Sequence, residues 1–270
     1  YYPEPVANEK FPLVVYFHCY LCSGSWFSYL WEAVVPKGII MVMAGSYESD
    51  PLAQTTDYAK DQFFLLEQIV SQASNDTSWP LYNIVGDKYT AAGMSLGGVS
   101  SIVASSSIYA PHSPIQFDNV VSLSGCPNFE DVSKYVSTLR LPILAVTASN
   151  DCFCPPKTTA DVYYKDVKSS CKTLINIING THCRYTQAPT IELDACELAE
   201  EAIGCQKGKQ LKKIDEQHEM VSAYTSLWLD YMLNGNATAN EQLQQRLEND
   251  KEDSLVTFAS ECSQDRINVW

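Results

Sequence analysis

Along the chain, short runs in which nearly every residue is apolar alternate with longer stretches in which apolar residues recur every three or four positions. Residues 12–18, Pro-Leu-Val-Val-Tyr-Phe-His, are continuous, β-branched and aromatic, the pattern of a strand covered on both faces. Residues 39–44, 89–94, 119–123, 141–147 and 172–178 repeat that pattern and predict further strands. Between them, helical periodicity predicts helices over 26–35, 55–73 and 157–168. The clearest places Phe63, Leu66, Ile69, Val70 and Ala73 on one face, with Asp57, Lys60, Asp61 and Glu67 elsewhere. Another begins at Leu96 and carries Val99, Ile102 and Val103 at helical spacing. Such alternation predicts an α/β domain, a doubly wound, mostly parallel sheet with helices on both faces, whose functional loops gather at the carboxyl ends of strands. The loops at Tyr20 and at 45–50 fall on one such edge.

Past Thr181 the rhythm changes. Residues 184–215 are polar and acidic with Cys196 and Cys205 among them, and read as an insertion; 216–233 give a last long amphipathic helix. Residues 234–253 are nearly all polar and read as a tail, and 254–270 regain Leu255, Val256, Phe258 and Cys262, so the end is expected to fold back and be stapled. No internal boundary appears, which suits a single domain over 1–270.

Composition narrows the function. A formal charge of −14 with no basic cluster beyond Lys212-Lys213 argues against nucleic acid. The longest apolar runs are far too short to span a bilayer. Ten cysteines and the sequons at Asn75, Asn179 and Asn236 point to an oxidising compartment, hence to secretion and glycosylation, with Tyr1 reading as a processed start. A monomer is expected.

The chemistry centres on Gly93-Met94-Ser95-Leu96-Gly97, a G-x-S-x-G sequence between a strand and a helix. In that context the serine sits on a strained turn, and the glycines allow close backbone approach. A serine hydroxyl needs a histidine base, itself oriented by a carboxylate, in the chain order Ser, acid, His. Asp151 follows the strand 141–147 and His182 follows the strand 172–178, so Ser95, Asp151 and His182 are the expected triad, with Asp118 and Asp131 as alternative acids. Two N–H donors should meet the oxyanion: that of Leu96, at the start of a helix, and that of Tyr20, in the loop after the first strand. His18 reads as an internal brace and His112 as a loop cap. Cys19-x-x-Cys22 stands alone, without a second pair or ligand-spaced histidines, so neither metal nor cofactor is expected.

The motifs Phe17-His18-Cys19-Tyr20, Gly93-Met94-Ser95-Leu96-Gly97-Gly98, Ser149-Asn150-Asp151-Cys152-Phe153-Cys154-Pro155 and Gly180-Thr181-His182 resemble those of secreted α/β-hydrolase esterases of the dienelactone hydrolase and chlorophyllase-like group. Within it they look most like the cutinase-like polyester hydrolases that include PET-degrading enzymes. The resemblance implies a serine esterase acting on polyester, cutin-like or smaller esters, with Tyr20, Phe153 and Leu96 lining the substrate cleft. A lipid acyl hydrolase and a non-catalytic binding module on the same scaffold are the competing readings. The sequence departs from the family at Cys126-Pro127, where the family carries a tryptophan, and at 184–215, which has no counterpart.

Two further expectations follow. The acid and histidine loops must meet, so a bridge from Cys183 to Cys152 or Cys154 is expected. The insertion should form a short helix ending near Gly204, with Leu193, Ala195, Leu198, Ala199, Ala202 and Ile203 as its apolar stripe, narrowing the cleft as a lid. In it, Cys196 and Cys205 would lie about 13 Å apart on a straight helix and pair only if the chain turned back at Gly204.

Overall fold

The computed structural model describes residues 1–4, 9–45, 53–109, 112–127 and 130–262. Seven strands form one sheet: β1 Phe11–Phe17, β2 Ile40–Met43, β3 Val85–Met94, β4 Asn119–Leu123, β5 Ile143–Ala148, β6 Cys171–Ile177 and β7 Val256–Cys262. Their order is β2-β1-β3-β4-β5-β6-β7, parallel except for the antiparallel last pair. The helices are α1 Ser28–Val34, α2 Thr55–Asn75, α3 Leu96–Ala104, α4 Ser133–Val136, α5 Ala160–Asp166, α6 Thr190–Ile203, α7 Ile214–Asn234 and α8 Ala237–Glu252.

The continuous apolar runs have their explanation in two separate cores. Side chains alternate across a strand, so Leu13, Val15 and Phe17 enter one core with Leu66, Val99 and Ile102 from α2 and α3. Val14 and Tyr16 enter the other with Leu30, Trp228 and Leu243 from α1, α7 and α8. Each fully buried aliphatic side chain contributes roughly 2 kcal/mol.

The winding reverses between β1 and β3, which opens a crevice at their carboxyl ends. The loops after β1, β3, β4, β5 and β6 all emerge on that edge. Most of the loop expected at 45–50 lies outside the described residues.

The polar stretch 234–253 is not a tail. It is α8, which buries Ala239, Leu243 and Leu247, spaced four apart, and joins α7 through polar contacts. Arg246 chelates both carboxylate oxygens of Glu219, and the Tyr224 hydroxyl donates to Asp250. A stripe three residues wide is enough once charged groups finish the interface. The fold-back of the end is present as far as Cys262, where β7 covers the β6 edge and Cys171 bridges Cys262; 263–270 lie outside the described residues.

Candidate active site

Ser95 occupies the turn between β3 and α3 at φ 57°, ψ −120°, a conformation unfavourable for any side-chain-bearing residue. Its neighbours hold it there. A Cβ on Gly97 would lie 2.1 Å from the Phe17 carbonyl oxygen, and one on Gly93 would lie 2.4 Å from Gly97 backbone, so both positions exclude any side chain. The Ser95 amide donates to Leu123 O at 2.8 Å, and the Ser95 carbonyl accepts from Gly98 and Val99. These bonds begin α3, so the Leu96 amide belongs to the first turn, whose N–H groups lack partners within the helix.

Asp151, directly after the Ser149-Asn150 turn that follows β5, is buried. Its Oδ2 accepts from His182 Nδ1 at 2.7 Å and from the Ser124 hydroxyl, and its Oδ1 accepts from the Cys154 amide at 2.6 Å. A carboxylate facing Nδ1 fixes the proton there and leaves Nε2 as the basic nitrogen. Burial of His182 opposes its protonation, but the charge and hydrogen bond of Asp151, with the charge of Glu200, outweigh burial and raise its pKa above the ordinary histidine value.

Ser95, Leu96 and His182 line one cleft of about 530 Å³. Tyr20 and Leu21 form part of its mouth, in a short loop closed by a Cys19–Cys22 bridge, and both are exposed. Phe153 forms another part, with its ring edge-on to His182 at 5.3 Å between centroids. Pro127 and the Cys126–Cys154 bridge stand where the sequence lacks the family's tryptophan, and Cys154 Sγ lies 3.9 Å from Ser95 Oγ. The insertion supplies a further wall through Glu192, Ala195 and Cys196. Asp151, Cys154 and His182 converge closely enough to suggest a metal site, but the Cys154 sulfur is spent in its bridge and offers no thiolate.

The alternative acids lie elsewhere. Asp118 is at the amino end of β4, accepting from the Tyr89 amide, and exposed Asp131 accepts from the Ser133 amide. His18 is fully buried and its Nδ1 donates to Cys19 O at 2.7 Å, as expected of a brace. His218 stacks on Tyr29 at 4.2 Å, and burial lowers its pKa to about 4. His112 is exposed.

Two expectations about the insertion need correction. Cys183 pairs with Cys196, and Cys152 with Cys205, so neither the bridge from Cys183 to Cys152 or Cys154 nor a Cys196–Cys205 pair exists. Instead α6 lies between the two loops and bonds to each. The helix does end at Gly204, in the left-handed region at φ 84°. Its apolar stripe, however, does not face inward as a whole: Ala195 lines the cleft, but Leu198 is 67% exposed and Ile203 55%, whereas Glu200 is fully buried. The cysteines set that rotation, because Cys196 and Glu200 share a face one turn apart.

Sequence reasoning missed Glu200, Ser124 and the lining contributed by α6. For Ser124, its place at the end of β4, on the functional edge, was an available signal. For Glu200, the only signal was its spacing of four from Cys196.

A family model described as PETase, PET hydrolase-like, matches residues 1–199. No curated protein matches the chain significantly.

Proposed function

This chain belongs to the PET hydrolase-like family, and from that premise we propose that it is a serine carboxylic ester hydrolase working through Ser95, His182 and Asp151. The observation that carries the reading is the 2.7 Å pair between Asp151 and His182, with His182 lining the same cleft as a serine held at positive φ. Ser95 Oγ attacks the ester carbonyl as His182 Nε2 takes its proton. Asp151 keeps the imidazole in the productive tautomer and stabilises the imidazolium. The oxyanion is met by the amides of Leu96 and Tyr20, with the amino end of α3 directed at it. His182 then protonates the leaving alcohol, and water resolves the acyl-enzyme by the same route.

The substrate is an apolar ester held between Tyr20, Phe153 and the α6 wall, which acts as a fixed lid and favours small esters over bulky polymer chains. The five disulfides support an oxidising compartment and so secretion. Glycans are expected at exposed Asn75 and Asn236. A second reading, a lipid acyl hydrolase, is favoured by the exposed Ile191, Leu198 and Ile203 on α6; a jump in rate at the critical micelle concentration would select it.

The test is Ser95→Ala on a soluble chromogenic ester. It should lower kcat by about 10⁴-fold or more in a folded protein, and a serine-directed phosphonate should label Ser95 in the unaltered chain. Undiminished turnover in folded Ser95→Ala would overturn the assignment.

A further inference from the structure

Glu200 is the one residue of α6 whose side chain is buried among the described contacts, and it is a carboxylate. Burying such a group without partners costs several kcal/mol, so the company it keeps is informative. Its Oε1 accepts from the amides of Cys152 and His182, both at 3.1 Å, and its Oε2 accepts from the Cys183 amide at 3.3 Å. Cys152 directly follows Asp151, and Cys183 directly follows His182. One carboxyl group therefore holds backbone from both the acid loop and the histidine loop, including the amide of the histidine itself.

Resting on the serine-hydrolase reading, we propose that Glu200 is a positioning residue: its carboxylate fixes the acid and histidine loops relative to each other and places a second negative charge beside the imidazole. The hydrogen bonds require an acceptor only, which is the ionised form. A protonated carboxyl would bring a hydroxyl hydrogen into a site whose recorded partners are all donors. Burial pushes the Glu200 pKa up and Asp151 adds to that, while the Cys152 and Cys183 amides and His182 pull it down; the net direction is upward.

The helix is anchored so that Glu200 cannot drift. Cys196, one turn earlier, is bridged to Cys183, and Cys205, five residues later, is bridged to Cys152. The Arg184 side chain donates to Glu197 at 2.7 Å. The bridges alone leave the loops with rotational play about single bonds, whereas three amides on one planar carboxylate fix orientation as well. The charged groups acting on His182 are Asp151 on the acid loop and Glu200; Glu192 lines the same cleft, Arg184 is paired with Glu197, and Lys209 bonds Asn150 Oδ1.

Hydrolysis needs neutral His182, and negative charge nearby favours the imidazolium. Removing the Glu200 charge thus lowers the histidine pKa and moves the acid limb of the kcat/KM profile to lower pH. Glu200→Gln keeps the shape but sets an amide NH₂ against backbone donors. It should lower kcat about 10- to 100-fold and shift the limb down by about 0.5 pH unit. Glu200→Asp keeps the charge but falls one methylene short of the amides; it should lose about tenfold in kcat with the limb near its original place. Solvent-facing Glu201→Gln is the control and should change neither quantity. Active sites are counted with a serine-directed phosphonate, so that failure to label the unaltered chain would strike the hydrolase reading rather than this one. An unmoved limb in folded Glu200→Gln, whatever its rate, overturns the proposal, because a merely structural glutamate would behave that way. Should Glu200→Gln not fold, Glu200→Asp decides: unchanged kcat in that variant overturns it.

Discussion

The proposed nucleophile and its two proposed partners are held by opposite means. Ser95 sits over the middle of the sheet, where β1, β3 and α3 come so close that only glycine fits at positions 93 and 97. No disulfide lies in that turn; close packing and the backbone hydrogen bonds of Ser95 fix its strained φ. Asp151 and His182 sit on loops after β5 and β6, nearer the sheet's end, where there is less structure to press against. There the chain uses three bridges, Cys126–Cys154, Cys152–Cys205 and Cys183–Cys196, and the buried Glu200 carboxylate. A central element can hold a strained residue by exclusion of space, whereas peripheral loops need explicit ties.

The contrast can be broken first on the side that depends on covalent bonds. Opening the Cys152–Cys205 bridge by Cys152→Ala with Cys205→Ala frees a loop of 53 residues, worth about 4 kcal/mol by loop entropy. Denaturant unfolding should show that loss, and kcat should fall about tenfold as the acid loop loosens. A smaller effect is expected on the side held by packing. Gly97→Ala drives a methyl into the Phe17 carbonyl and should cost about 3 kcal/mol, measured by the same titration, and should remain equally damaging with all bridges intact. The smallest effect sharpens the picture of α6. Leu198 faces solvent, so Leu198→Gln should change stability by less than about 0.5 kcal/mol, whereas an inward stripe would have cost several times that.

The same division governs what could be read from the sequence. The strands and the Ser95 turn were legible because their causes are local: unbroken apolar runs for two-sided burial, and glycines flanking a serine. Chain order brought Asp151 and His182 into consideration, and the structure places them 2.7 Å apart. The disulfide pairing was not legible, since it depends on where α6 lies in space. An apolar count turned α6 the wrong way because it gave weight to Leu198 and Ile203, while the rotation is set by Cys196 and Glu200. Helix α8 was lost for the converse reason: Ala239, Leu243 and Leu247 are too few to lift the stretch above its polar background.

The antiparallel strand β7 also bears on the order in which the molecule is made. Its partner β6 ends at Ile177, and Val256 is 79 residues further along. At about 5–20 residues per second of synthesis, the outer edge of β6 waits roughly 4–16 s for its neighbour to emerge. During that interval it presents a row of unpaired amides and carbonyls, the template on which other chains can add. The sheet is thus completed by the last of its described strands to be translated, and the Cys171–Cys262 bond can form only once Cys262 has emerged.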